Sequence, residues 1–286
     1  MDFIQVRYKD GFIAMIQSTN TLQLECGIMP FTGDNSATLV SMNLKEGDCV
    51  VSLGTSDTVL VYLKQGAAKA TTEAHLMAHP TDPTGFMGML CYKNGSLTRQ
   101  HIRDQYAHSD WDEFNKLLQK KPAKDCLGFY YSMQEIIPFA KGIYRFQQGQ
   151  PVQEFDDPST NVRAIVESQF LSMRIRLQRM TTVESKRILA TGGAAANHEI
   201  LKILSNVFGL PVYKQKGMNS ASLGGSLLAK YGTLHGKSPF QDMMKQQQAD
   251  EPELICEPDL ESTQHYAARF DEYNRLEKQV VDQQVA

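Results

Sequence analysis

A carboxylate stands at the expected start of a helix near the beginning of the chain. The triplet Gly33-Asp34-Asn35 comes directly before an apolar stretch with helical spacing. A short polar side chain at a helix start can cap free backbone N–H groups. A carboxylate in this position can also act as a catalytic base. The triplet by itself leaves both interpretations open.

Two glycine turns are the other segments whose residue types suggest chemistry. They are Leu53-Gly54-Thr55-Ser56 and Thr191-Gly192-Gly193, and each follows a predicted strand. Glycine lets the backbone approach a ligand closely, and the N–H groups of such a turn, or of a helix starting after it, can hold an anion such as phosphate. Neither turn matches the P-loop or the dinucleotide-binding pattern. Taken singly, each is more often an ordinary turn than a phosphate site.

Other side chains that could carry chemistry have simpler interpretations. Trp111, the single tryptophan, could stack on an adenine ring, but beside Phe114 and Leu117 it is by default a core residue. Four histidines lack the i, i+4 pairing with acidic neighbours that is expected of a metal-ligand set, so surface or packing roles are expected and no metal site is predicted from them. Three arginines on one predicted helix are most simply its solvated side. These residues are His75, His79, His101 and His108, and Arg174, Arg176 and Arg179.

The composition favours a globular protein that handles small molecules. The chain has 286 residues, of which 42% are apolar, and this is enough to bury a core. A net charge of -3 provides no basic field for a phosphate backbone, so nucleic acid is a poor guess as a partner. No signal-peptide core and no apolar run of about 20 residues is visible, which argues against a membrane partner.

The cysteines favour a reducing, cytoplasmic setting. They are scattered, odd in number and never in a C-x-x-C pair, which argues against both a disulfide framework and a zinc site. They are Cys26, Cys49, Cys91, Cys126 and Cys256.

The elements that must position the candidate residues follow from hydrophobic periodicity and turn signals. Residues 11–17 fit a strand or half a helix. The remaining patterns predict an α/β fold. They are a helix over 35–44, two strands with a tight loop over 49–63, a strand within 80–97, helical patches over 110–119, a strand and then irregular chain over 128–146, a helix over 161–180, a strand, glycine turn, helix and strand over 185–215, a helix over 219–232, a polar connector over 245–261 and a helix over 262–284.

The order of the motifs is more specific than any one of them. The segment TGDNSATLVSMNLKEGDCVVSLGTSD, followed much later by ILATGGAAANHEILKILSNVFGLPV, resembles the FGGY carbohydrate kinases. The resemblance covers most of the chain, from about Ile28 to the final helix. It implies an actin-like, ribonuclease-H-like ATPase domain over residues 28–245, which is the carboxy-terminal lobe of a two-lobed kinase, followed by a connector and helix over 246–286.

The resemblance also implies an activity and assigns roles to residues. The activity is ATP-dependent phosphorylation of a sugar, D-xylulose, with ATP and Mg²⁺ in the cleft between the lobes. Asp34 corresponds to the base that accepts the proton of the sugar hydroxyl, and Asp34 and Asn35 touch the sugar. The nucleotide-binding residues implied are Gly54, Thr55 and Ser56 at the phosphates, Gly192, Gly193 and Asn197 at the adenosine, and Trp111 beside the nucleotide.

The sequence departs from the family in its amino-terminal part. No Asp-x-Gly-Thr phosphate loop is present, and residues 1–27 form a divergent leader that is too short for an amino-terminal lobe. We therefore expect one half of a two-lobed kinase, which would be a fragment or mispredicted gene product, an alternative isoform, or a half-kinase that has kept a binding role. On its own it is expected to have little or no activity and an exposed cleft face that invites self-association or a partner. The alternative is a non-catalytic nucleotide-binding or interaction module.

Overall fold

A computed structural model describes residues 3–7, 13–17, 32–120, 125–215, 220–233, 239–246 and 251–285 of the chain. In these segments the strands are β1 Phe3–Arg7, β2 Ile13–Gln17, β3 Asp48–Leu53, β4 Asp57–Leu63, β5 His75–Ala78, β6 Phe86–Tyr92, β7 Cys126–Tyr131, β8 Gly142–Gln147, β9 Gln150–Val152, β10 Arg187–Thr191, β11 Val212–Lys214 and β12 Glu253–Cys256. The α-helices are α1 Asp34–Ser41, α2 Ser96–Tyr106, α3 Trp111–Leu118, α4 Pro158–Met180, α5 His198–Phe208, α6 Ser220–Thr233, α7 Phe240–Gln246, α8 Leu260–Ala267 and α9 Phe270–Val285.

A seven-stranded sheet with the order β12-β11-β10-β3-β4-β6-β5 forms the centre of the structure. Strands β3, β4, β6 and β5 pair antiparallel, whereas β10 pairs parallel to β3 and β11 parallel to β10. Smaller antiparallel sheets are formed by β7, β8 and β9 and by β1 and β2. The parallel pair β3 and β10 brings together segments that are far apart in the sequence.

Both faces of the large sheet are covered by helices. Alternate residues of each strand point to opposite faces, so neighbouring residues pack against different helices. On β3, Val51 contributes to the core shared with α4 and α5, whereas Val50 packs with Leu39 of α1. The buried residues of β3 are therefore continuous rather than alternating with polar ones, which is expected for a strand covered on both faces. Helix α1 lies on the opposite face of the sheet from α4.

Helix α4 is the most deeply buried helix of the described residues, and some of its buried residues are charged. Its Arg176 is only 1% exposed and forms two hydrogen bonds with the Glu277 carboxylate of α9, at 2.8 and 3.1 Å. The prediction that its three arginines form a solvated side is therefore wrong for Arg176. The physical reason is that α9 packs on this face and supplies a carboxylate partner, without which a buried guanidinium would be costly.

Several predicted elements differ from those observed. Residues 13–17 form strand β2, and the chain predicted to be irregular after β7 contains β8. The predicted polar connector contains β12, which completes the edge of the large sheet beside β11. The predicted last helix is two helices, α8 and α9. Among the described residues, no helix has both the length and the apolar character that a bilayer crossing requires.

Helices α1 and α6 approach so closely that their contact requires a glycine. A Cβ atom on Gly224 of α6 would overlap the backbone carbonyl of Ala37 in α1. Both residues are buried. The backbone of α1, and with it the start of the helix at Asp34, is therefore held by direct backbone contact with α6.

We predict that Gly224→Ala destabilises the protein. Alanine in a helix is ordinarily about 1 kcal/mol better than glycine, but here the added methyl group must separate α1 from α6, and overpacking of this kind costs about 1–3 kcal/mol. Denaturant unfolding should therefore show a lower free energy of unfolding. The control is Ser226→Ala on the exposed face of the same helix, and a Gly224 variant as stable as this control would contradict the prediction.

Candidate active site

The two glycine turns lie side by side at the edge of the large sheet that is formed by the carboxyl ends of its central strands. Strands β3 and β10 are parallel neighbours in which Thr191 pairs with Ser52, so both strands end at this edge. Gly192 has a φ of +86°, and a Cβ atom on it would lie 2.6 Å from the carbonyl oxygen of Leu53. Glycine is therefore required here both by the backbone angle and by the close approach. The sequence predicted two separate turns, and the structure joins them.

The first turn, Gly54-Thr55-Ser56, connects β3 to β4 and is held by the start of α2. The Ser96 N–H donates to the Gly54 carbonyl at 2.8 Å, and the Gly95 N–H donates to the Thr55 carbonyl at 3.2 Å. Thr55 and Ser56 are exposed. The turn thus has its carbonyl oxygens bonded to the protein while its two hydroxyl-bearing residues face solvent. This arrangement suits an anionic ligand better than a cationic one.

The second turn leads into α5 through a short 3-10 turn, Gly193–Ala196. Gly193 is exposed, and a Cβ atom on it would meet nothing within 4 Å. Asn197 caps α5, since its Oδ1 accepts the N–H groups of Glu199 and Ile200 at 3.1 and 3.2 Å. The capped start of α5 at this position also contributes the positive end of the helix dipole. The open space beside Gly193 is where a ligand could approach the backbone.

A hydrogen bond connects α3, the helix that begins at Trp111, to the start of α5 after the second turn. The Asn197 side-chain amide donates to Oδ1 of Asn115 at 2.7 Å, and Asn115 lies one helical turn after Trp111. The indole is 37% exposed, and the Arg103 guanidinium lies 4.6 Å from its ring centre. The interpretation of Trp111 as a core residue is therefore wrong. Its neighbour Phe114 is fully buried and takes that position instead.

Asp34 and Asn35 are the first two residues of α1 and lie on a separate element from the two glycine turns. The N-cap of this helix is Gly33, so the Asp34 side chain is not the helix cap. Its Oδ1 accepts the N–H of Asn35 at 2.8 Å, and the residue is exposed. Within the described part of the chain, no hydrogen bond or ion pair joins Asp34 to either glycine turn. Its carboxylate is accessible to a ligand.

A buried ion pair behind the first turn is absent from the sequence-based candidates. Asp57 begins β4, and its carboxylate receives two hydrogen bonds from Arg99, at 2.6 and 3.0 Å. The Asp57 and Arg99 side chains are 0% and 1% exposed. Complete burial raises the pKa of the Asp57 carboxyl, and the nearby guanidinium opposes that rise. The signal in the sequence was an aspartate at the start of an otherwise apolar strand.

A second buried carboxylate fixes the segment that precedes α2. Glu135 accepts the N–H groups of Lys93, Asn94 and Ile136 at 2.7, 3.0 and 2.7 Å, and also the Asn94 side-chain amide at 2.9 Å. Four charge-assisted bonds to one carboxylate are strong for their kind. They hold the residues directly before Gly95, which itself bonds to the first glycine turn.

The structure offers little to a metal ion. Among the described residues, no group of three or more histidine, cysteine, aspartate or glutamate side chains could hold one. Asp57 is the carboxylate nearest to the first turn in sequence, and it is already paired with Arg99. The described residues therefore provide no cluster of such side chains that could by itself hold a magnesium ion.

Comparison with known proteins identifies the domain that contains both turns. Residues 49–233 match the C-terminal domain of the FGGY family of carbohydrate kinases. The chain belongs to this family. The matched span runs from β3 to the end of α6, so it includes Gly54-Thr55-Ser56, Trp111 and Gly192-Gly193. The predicted boundaries at residues 28 and 245 stay predictions, as does self-association at the cleft face.

The curated relatives of this FGGY-family chain include xylulose kinases. The xylulose kinase of Rattus norvegicus is 38% identical over 261 residues, which cover 90% of this chain and 48% of the rat protein. Xylulose kinase 2 of Arabidopsis thaliana is 42% identical over 229 residues, which cover 74% of this chain and 40% of the plant protein. The chain thus spans about half the length of the curated relatives it matches.

Solved structures share the fold. Ligand-bound xylulose kinase from Lactobacillus acidophilus superposes with a TM-score of 0.70 at 17% identity, covering 87% of this chain and 50% of the other. Plasmodium falciparum glycerol kinase with ADP gives a TM-score of 0.66 at 14% identity, also covering 87% of this chain and 50% of the other. The predicted α/β fold, that of a single FGGY kinase lobe, is confirmed.

We predict that the two adjacent glycines of the second turn differ sharply in their tolerance of a side chain. In Gly192→Ala the alanine would have to keep the positive φ of the glycine, and its Cβ atom would clash with Leu53. This substitution should lower the free energy of unfolding by more than about 2 kcal/mol. Gly193→Ala meets open space and should change it by less than about 0.5 kcal/mol. Denaturant unfolding of the two variants tests this, and equal losses of stability would contradict it.

Proposed function

We propose that this chain provides the ATP-binding lobe of an ATP-dependent sugar kinase. The observation that carries the proposal is the contact between Gly192 and Leu53, because it puts two exposed glycine turns beside each other at one sheet edge. Two such turns can hold the phosphates and the nucleoside of one nucleotide. Membership in the FGGY family supports the same assignment.

The first turn is the proposed phosphate contact. Thr55 and Ser56 are exposed there, while the carbonyl oxygens of Gly54 and Thr55 are bonded to the start of α2. Engaging these two carbonyls reduces the repulsion that they would exert on an anion. Phosphoryl transfer requires accurate positioning and neutralisation of charge more than covalent participation. A turn fixed from behind is suited to that requirement.

The second turn is the proposed adenosine contact, together with Trp111. Gly193 leaves space for a ring system, and the half-exposed indole provides a flat apolar surface one helical turn from Asn115. The Asn197 side chain already makes three hydrogen bonds, as the cap of α5 and as the link to Asn115. We therefore assign Asn197 to shaping the adenosine site, with direct contact coming mainly from the glycines and the tryptophan.

Asp34 is the proposed base, and Asn35 joins it in binding the sugar. The carboxylate is exposed and is oriented by the Asn35 N–H. It could accept the proton of a sugar hydroxyl as that oxygen attacks the γ-phosphate, a contribution of about 10²–10⁴ in rate. Xylulose kinases among the relatives make D-xylulose the proposed sugar.

The proposed cofactor set is ATP with Mg²⁺. A magnesium ion that accompanies a nucleotide usually takes most of its ligands from phosphates and water. We therefore assign none of its ligands to this chain. The proposed compartment is the cytoplasm, which agrees with the free thiols of Cys49, Cys91, Cys126 and Cys256.

The single tryptophan allows a direct test of nucleotide binding. Adding ADP should change the emission of Trp111, because a stacked adenine would replace solvent and displace the Arg103 guanidinium. Trp111→Ala should remove the optical signal and weaken binding measured by calorimetry by about 5-fold or more, as expected for a lost base–aromatic stack. D-xylulose alone is the control and should leave the emission unchanged.

Two outcomes of this titration would count against the assignments. Calorimetric binding of ADP without any change in Trp111 emission would remove the tryptophan from the site. Absence of ADP binding in both measurements would refute the proposed nucleotide-binding function.

The role of Asp34 can be tested in a two-lobed protein. A chimera would join the amino-terminal half of the rat xylulose kinase to this chain, and ADP release would be followed with ATP and D-xylulose. Asp34→Asn should lower kcat by about 10²–10⁴, because the general base is lost, while the KM for ATP stays nearly constant. Glu46→Gln is the matched control, since Glu46 is an exposed carboxylate that follows the other end of α1.

Unchanged turnover of the Asp34→Asn chimera would contradict its role as base. If the parent chimera bound ATP but transferred no phosphoryl group, the alternative function, a non-catalytic nucleotide-binding or interaction module, would be favoured.

A further inference from the structure

The buried Asp57–Arg99 pair lies directly behind the first glycine turn. Asp57 follows Ser56 in the chain and begins β4. Arg99 lies in the first turn of α2 and binds the same carboxylate through both terminal nitrogens. The ion pair therefore connects the end of the first glycine turn to the start of α2.

The start of α2 also bonds to the turn from its other side. Gly95 and Ser96 donate their N–H groups to the carbonyls of Thr55 and Gly54. A Cβ atom on Gly95 would lie 2.6 Å from the Thr55 carbonyl oxygen and 2.8 Å from the Asp57 carboxylate, so the approach is as close as two backbones allow. A shift of Arg99 would therefore be transmitted to the turn through both the carboxylate and the backbone.

A third element fixes Arg99 from the interior. Gln169 of α4 accepts a hydrogen bond from Arg99 at 2.7 Å and donates one to the Asn94 carbonyl at 2.7 Å. The Glu135 carboxylate holds Asn94 in turn, through its backbone N–H and its side-chain amide. The position of the first glycine turn is thus fixed by α4 as well as by the neighbouring strands.

Charge gives the pair a second effect at this position. Asp57 is fully buried beside a turn that is proposed to receive phosphates, and a carboxylate without a partner there would repel them. Buried ion pairs are weak contributors to stability compared with apolar packing, so general stability is a poor explanation for one at this place. Arg99 both neutralises the carboxylate and fixes its orientation through two hydrogen bonds.

We propose that Asp57 and Arg99 are positioning residues for the phosphate-binding turn Gly54-Thr55-Ser56. They fix the turn in the geometry that accepts phosphoryl groups and cancel the negative charge behind it, without touching the nucleotide. This inference rests on the proposed function. Its distinguishing consequence is that the pair affects the phosphate part of a nucleotide and not the adenosine part.

Calorimetric titration of the chain with ADP and, separately, with adenosine tests this consequence. Arg99→Met should weaken ADP binding by about tenfold, the scale of a lost charge-assisted hydrogen bond, and leave adenosine binding within about twofold. Gln169→Leu leaves both charges in place and should weaken ADP binding alone by about threefold, the scale of a neutral hydrogen bond. The Gln169→Leu variant tests the positioning role if Arg99→Met does not fold.

Arg176→Met is the matched control, because Arg176 also forms a buried ion pair but connects α4 to α9. It should lower the thermal stability without changing the ratio of the two dissociation constants. An equal loss of ADP and adenosine binding in Arg99→Met, or no loss in either ligand, would overturn the positioning role. If the unaltered chain binds no ADP, the proposed function itself fails.

Discussion

The meeting of Gly192 with the backbone of Leu53 is the constraint on which the site depends. Strands β3 and β10 can end side by side only if the chain after β10 turns away at once, and a left-handed residue without a side chain permits that turn. The turn carries the chain from β10 toward α5, while β3 continues through Gly54-Thr55-Ser56 into β4. Two exposed turns therefore share one edge of a sheet that is covered on both faces.

The polar groups behind this edge are arranged differently from those in front of it. In front, Thr55, Ser56 and Gly193 are exposed and accessible to a ligand. Behind, the Asp57 and Glu135 carboxylates are buried and fully engaged, one by a guanidinium and the other by backbone N–H groups. Buried charge is tolerated only with such partners. The geometry in front is thus fixed by bonds that no ligand has to form.

Family membership and geometry support the functional proposal in different ways. The FGGY family match identifies the domain and implies the class of chemistry. The geometry adds how this chain would carry its share, with phosphate and nucleoside contacts on adjacent turns and an exposed carboxylate on a helix that packs on the other sheet face. Because the chain spans about half the length of its curated relatives, the complete reaction belongs to the proposal.

The sequence by itself determined the positions of the glycine turns, the short helix at Asp34, the long helix α4 and the α/β class, because these follow from local periodicity and turn chemistry. Tertiary structure alone decided that β3 pairs with β10, joining residues such as Asp48 and Arg187 that are 139 positions apart. It also decided that Trp111 is half exposed, that Arg176 is buried, and that Gly33 rather than Asp34 caps α1. The physical reason is that burial and strand pairing depend on which distant segment packs against a residue. The local spacing of residue types does not identify that segment.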